Sequence, residues 1–145
     1  MILIVASRFD KSENSVIESL LLGVINVLEN NIENNIENNK KQEYQVLRVS
    51  GANEIPATIQ HFISKYPNKF SVAIALGLII KGETDHYEMV RDSSTMGITQ
   101  LSLRYNFPII QGILACHNKN QAIERKYLGK EFGMTALEMQ KIKKL

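Results

Sequence analysis

Apolar and polar positions come in blocks along this chain, and the period changes from block to block. Ile2 to Ala6 is an uninterrupted apolar run of strand length. From Val16 the period lengthens: Val16, Ile17, Leu20, Leu21, Val24, Ile25 and Leu28 fall on one wide helical stripe, with Ser12 or Asn14 placed to cap it. Tyr44 to Val49 predicts a second strand, closed by a tight turn at Ser50-Gly51. A second helix is expected from near Glu54, with Pro56 suited to its first turn and Ile55, Ile59, Phe62, Ile63 and Tyr66 as the buried stripe. Val72 to Ile80 predicts the third strand, about Tyr87 to Tyr105 a long helix, and Pro108 to Ala115 the fourth strand. Asn118 with Gln121 three residues on resembles a capping box, opening a helical C-terminus interrupted around Leu128-Gly129. Strands alternating with helices imply right-handed crossovers, hence an α/β fold with a parallel sheet covered on both faces.

That topology has a chemical consequence. The loops after the strands, at Ser7 to Asp10, Ser50 to Glu54, Lys81 to His86 and Cys116 to Asn118, all open at one edge of the sheet. The most informative of these junctions is ALGLIIKGETDHYEMVR, Ala75 to Arg91, which passes from buried strand through a polar loop into a helix. Gly82, Thr84 and the backbone N–H groups near the helix start make an anion site, and His86 is a proton carrier beside it. This pairing points to an enzyme acting on a phosphorylated small molecule. Of the other histidines, His61 falls mid-helix beside the apolar stripe, where a structural or surface role is expected. His117 adjoins Cys116, but neighbours at a strand end point to opposite faces, which disfavours a Cys/His nucleophilic pair. Taken singly, Gly51 and Gly82 fit turns, Glu54 fits the first turn of a helix and Arg125 fits a solvated helix surface; their joint placement is what suggests a site.

Composition narrows the class. The 145 residues, 44% hydrophobic, suit a single domain spanning 1–145. Within it, residues 29–42 hold a low-complexity asparagine-rich tract in which ENNI recurs, expected to be a surface insertion. The balance of 17 basic against 15 acidic residues has no dense basic run, which argues against nucleic-acid binding. No segment has the length of a signal peptide's apolar region or of a membrane span, and the single cysteine excludes an internal disulfide framework, so a cytoplasmic location is expected.

The motifs SRF (Ser7 to Phe9), SGANEIP (Ser50 to Pro56), GLIIKGETDHYEMV (Gly77 to Val90), QAIER (Gln121 to Arg125) and TALEM (Thr135 to Met139) occur in an order and at intervals that are jointly specific. In them the chain resembles the lumazine synthase family of riboflavin biosynthesis, over nearly its whole length apart from the asparagine-rich tract. The resemblance implies a flavodoxin-like three-layer α/β/α sandwich with a four-stranded parallel sheet in the order 2-1-3-4. It implies homopentamers or sixty-subunit shells of pentamers, with sites between adjacent subunits. The implied reaction condenses 5-amino-6-(D-ribitylamino)uracil with 3,4-dihydroxy-2-butanone 4-phosphate to 6,7-dimethyl-8-ribityllumazine, phosphate and water, with neither metal nor organic cofactor.

The resemblance also implies roles. Phe9 stacks on the pyrimidine; Ala52 and Glu54 bind ribityl hydroxyls; Leu78, Ile79 and Ile80 line the heterocycle slot; Glu83 and Thr84, with Arg125 across the interface, hold the phosphate; His86 shuttles protons. Asn53 and Gln111 stand where the family often has a large apolar or aromatic residue against the pyrimidine, with Gln111 and Arg125 facing a neighbour's loops. The family's usual lysine after the AIER arginine aligns with Leu128, leaving Lys126 and Lys130 as candidates for that charge. The chain begins at its first strand, without the extension that often pairs with a neighbour's sheet, so a free pentamer is expected rather than a shell. A non-catalytic flavin- or lumazine-binding protein on the same scaffold is the alternative. Retention of Thr84, His86 and Arg125 argues against it, because a binder of the dephosphorylated product needs no phosphate clamp.

Overall fold

The two longest apolar runs become the two central strands. In a computed structural model, which describes residues 1–10, 15–30 and 41–145, strands β1 (Ile2–Ser7), β2 (Tyr44–Val49), β3 (Val72–Ile80) and β4 (Ile109–Cys116) form one sheet in the order β2-β1-β3-β4. All pairings are parallel, with Ile2 opposite both Tyr44 and Val72, and Ala73 opposite Ile109. Five helices accompany them: α1 (Val16–Glu29), α2 (Ile55–Lys65), α3 (His86–Arg104), α4 (Lys119–Glu124) and α5 (Gly129–Lys143). The result is the three-layer flavodoxin-like α/β/α sandwich that the sequence implies.

Burial on both faces explains why β1 and β3 carry no polar alternation. Ile2, Ile4 and Ala6 with Val72, Ile74 and Leu76 pack toward α1 and α5, while Leu3 and Val5 with Ala73 and Ala75 pack toward α2 and α3. On the edge strand β4 the alternation returns, with Gln111 and Ala115 exposed. α1 buries Val16, Ile17, Leu20, Leu21, Val24 and Leu28, leaving Ile25 half-buried. Its backbone meets the start of α5 directly: a Cβ on Gly129 would lie 2.1 Å from the Leu20 carbonyl oxygen. Only glycine permits that approach.

Several expectations shift. β1 extends to Ser7, β4 spans Ile109–Cys116 rather than Pro108 to Ala115, and α3 begins at His86. Tyr66 is not part of the buried stripe: it caps α2 and is exposed, its ring 5.8 Å from Phe62 and 4.8 Å from the Lys69 ammonium. An aromatic ring with a polar tip is stable in that half-wet position. The expected caps Ser12 and Asn14 lie outside the described residues, as does 31–40 of the asparagine-rich tract. α1 itself runs through Glu29, the first residue of that tract, whose carboxylate accepts a 2.7 Å hydrogen bond from Tyr44 Oη. At the other end of α1 the N–H of Ile17 donates to Asp10 Oδ2 at 2.9 Å, a cap reaching back seven residues. The Asn118 side chain does cap α4, accepting from the Gln121 N–H at 2.9 Å, but Gln121 Oε1 accepts from His117 N–H at 2.7 Å instead of completing a reciprocal box. Among the described residues no helix is long and apolar enough to cross a membrane.

Candidate active site

The loops after β1, β2 and β3 meet in one cavity of about 490 Å³ at the C-terminal edge of the sheet. The strand order reverses between β1 and β3, and open parallel sheets place ligands at such a point. Phe9 reaches the cavity from the first loop. Its backbone is held by extension of the β1–β2 pairing, with Arg8 N–H and Phe9 N–H donating to the carbonyls of Val49 (2.7 Å) and Ser50 (3.0 Å). Asp10 is anchored to α1 as described, so both flanks of Phe9 are tied while its ring remains 58% exposed. An exposed aromatic fixed at a cavity is suited to stacking on a planar ligand.

The second loop supplies Ser50, Gly51, Ala52, Asn53 and Glu54. A single 3-10 turn, Ala52–Glu54, buries Ala52 against Ile79 and Tyr87 and leaves Asn53 and Glu54 exposed. Glu54 Oε2 accepts the Gly51 N–H at 3.0 Å, which fixes the carboxylate. Its second oxygen carries no hydrogen bond among the described residues and remains a strong acceptor for ligand hydroxyls.

The third loop brings the reactive groups. Leu78, Ile79 and Ile80 form an apolar wall, and the chain turns through Gly82 and Thr84 into α3, whose first residue is His86. Asp85 at the N-cap position makes no side-chain cap bond, and only a long 3.4 Å contact joins His86 N–H to Thr84 Oγ1. Apart from that contact the N-terminal N–H groups of this long helix have no side-chain cap among the described residues, and they and the helix dipole favour an anion there. Tyr87 and Val90 complete the wall.

Nine of the twelve expected site residues thus line one cavity: Phe9, Ala52, Asn53, Glu54, Leu78, Ile79, Ile80, Thr84 and His86. Glu83 is exposed in the same loop without lining it. Gln111 and Arg125 are outside it. Gln111 lies on β4, where its Oε1 accepts the Ile113 N–H at 3.2 Å, and it borders a separate groove of about 390 Å³. Arg125, after α4, donates to the Gln121 carbonyl at 2.9 Å and lies 3.8 Å from Glu124. Cys116 is buried in the α1/α5 core, and that burial pushes its thiol pKa up, partly offset by the Arg125 charge. A buried thiol held protonated is a poor nucleophile, and His117 is exposed, so the two do not make a Cys/His nucleophilic pair.

Sequence reasoning missed Tyr87 and Val90. The signal was present in their spacing: once α3 starts at His86, positions 87, 90 and 94 share its inner face. Ser50 was read only as a turn residue, and its place in the lining follows from the adjacent hydrogen bond to Phe9.

Comparison with known proteins adds an independent line. The profile of the family described as 6,7-dimethyl-8-ribityllumazine synthase matches residues 1–144. A protein of that name from Buchnera aphidicola subsp. Baizongia pistaciae is 38% identical over 143 residues, covering 95% of this chain and 84% of the relative. One from Pyrococcus furiosus is 32% identical over 142 residues, covering 95% of this chain and 82% of the relative. One from Prochlorococcus marinus subsp. pastoris is 32% identical over 140 residues, covering 94% and 84%.

Proposed function

This chain belongs to the 6,7-dimethyl-8-ribityllumazine synthase family, transferases of riboflavin biosynthesis, and on that premise we propose that it condenses 5-amino-6-(D-ribitylamino)uracil with 3,4-dihydroxy-2-butanone 4-phosphate, releasing phosphate and water. The observation that carries the proposal is the cavity that combines an uncapped N-terminus of α3, His86 at its first turn, a fixed carboxylate at Glu54 and the exposed ring of Phe9. Each half of the reaction finds a matching surface. Phe9 stacks on the pyrimidine, Leu78, Ile79 and Ile80 form the slot beside it, and Glu54 with the backbone near Ala52 and Asn53 takes the ribityl hydroxyls. The phosphate sits on the N–H groups between Glu83 and Thr84 and the start of α3.

In the reaction the pyrimidine amine attacks the butanone carbonyl, water leaves as the imine forms, phosphate is eliminated, and ring closure expels the second water. His86 moves protons at the nitrogen and carbon centres during these steps. Holding two reactive partners together supplies much of the acceleration. Arg125 and Gln111, outside their own chain's cavity, serve the cavity of the next subunit in a homopentamer, with Arg125 on the phosphate. The whole chain acts as one catalytic domain, residues 29–42 being a surface insertion, and it works in the cytoplasm without metal or organic cofactor. An absorbance assay for lumazine formation from the two purified substrates tests this reading; no product at saturating substrate overturns it.

A further inference from the structure

The loop that presents His86 has few anchors. Residues 81 to 86 are exposed throughout, and the Lys81–Glu88 ion pair at 3.7 Å joins a half-exposed ammonium to a partly buried carboxylate. Two contacts join the ends of the loop to the last residue of β4 and the residue after it. Lys81 N–H donates to the Cys116 carbonyl at 2.9 Å. At the other end of the loop, six residues on from Lys81, the Tyr87 ring meets the imidazole of His117, the residue after Cys116, edge-to-face, with centroids 6.4 Å apart and planes at 76°. Tyr87 is buried, lines the cavity and packs with Ala52 and Ile79, so it is rigid on its inner side. The backbone of His117 is fixed as well, its main-chain N–H donating to Gln121 Oε1 at 2.7 Å.

We infer that His117 is a positioning residue for the His86 loop, acting through Tyr87. The inference rests on the function proposed above for its kinetic readout, though not for its structural one. Tyr87 adjoins His86 in the chain, so the ring that His117 braces fixes the first turn of α3 on which both the imidazole and the anion-binding N–H groups depend. The contact requires a planar ring at position 117, not a proton: edge-to-face packing serves phenylalanine as well as histidine. Small misplacements of a reacting group reduce turnover without weakening ground-state binding.

The test compares the full chain with His117→Ala and His117→Phe, by amide hydrogen exchange over residues 81–88 and by steady-state kinetics. His117→Ala is expected to speed exchange in that segment and to lower kcat about tenfold with KM unchanged within about twofold, and His117→Phe to restore both. Exchange in His117→Ala equal to the unmodified protein overturns the inference. So does His117→Phe as impaired as His117→Ala, since the imidazole itself would then be needed. If the unmodified protein makes no lumazine, the functional reading fails alone, and the exchange comparison still decides the role of His117.

Discussion

His86 stands where the chain changes conformation. It is the first residue of α3, where the one side-chain contact to the helix N–H groups among the described residues is the long one from Thr84 Oγ1, so the proposed proton carrier and the proposed anion site share one turn of backbone. His86→Ala should lower kcat by about one to two orders of magnitude and leave substrate binding nearly intact, because proximity retains much of the rate. Unchanged turnover in steady-state kinetics would remove His86 from the mechanism. Arg125 makes a separable prediction. Removing a charge-assisted contact by Arg125→Ala should raise KM for the butanone phosphate by about tenfold or more while that for the pyrimidine stays within about twofold. Equal losses for both substrates would make the residue structural. At this scale the sequence was legible in placing His86, Thr84 and Glu54 in one cavity, because each stands in a loop that follows a readable strand. It was illegible where the role depends on a partner distant in the chain, as for Tyr87 against His117.

Elements were readable to the extent that their burial was one-sided or complete. Tyr44 to Val49 and Val72 to Ile80 are strands as their patterns predict, the second because burial on both faces leaves no room for polar residues. Terminal signals were less readable. The cap of α1 comes from Asp10, across a span that local capping patterns do not cover, and Tyr66 carries the right period but falls beyond the last turn of α2. Asp10 therefore links helix stability to the loop that carries Phe9. Asp10→Ala should cost about 1 kcal/mol and lower Tm by a few degrees, with Asp10→Asn retaining most of the stability since asparagine is an equally good cap. Thermal unfolding of the three proteins checks this; Asp10→Ala as stable as its parent would show that the bond to Ile17 contributes nothing.

On the scale of the whole molecule, topology gathers three loops into one cavity, and no single segment of the sequence displays that cavity. The same topology leaves Gln111 on an edge strand and Arg125 beyond α4, both outside it. In the proposed pentamer each subunit completes its neighbour's site through head-to-tail contacts that close a ring. Light scattering should find a dominant pentamer of about 82 kDa, from chains of 16.4 kDa, whereas a species near about 1 MDa would indicate a shell and a monomer would dismantle the shared site. The proposed condensation is measured by following lumazine absorbance and phosphate release in the same sample of purified protein with both substrates. Equal amounts of the two products are expected, formed faster than in the protein-free mixture and slowed by His86→Ala. Rates equal to the protein-free mixture, or phosphate released without lumazine, would contradict it.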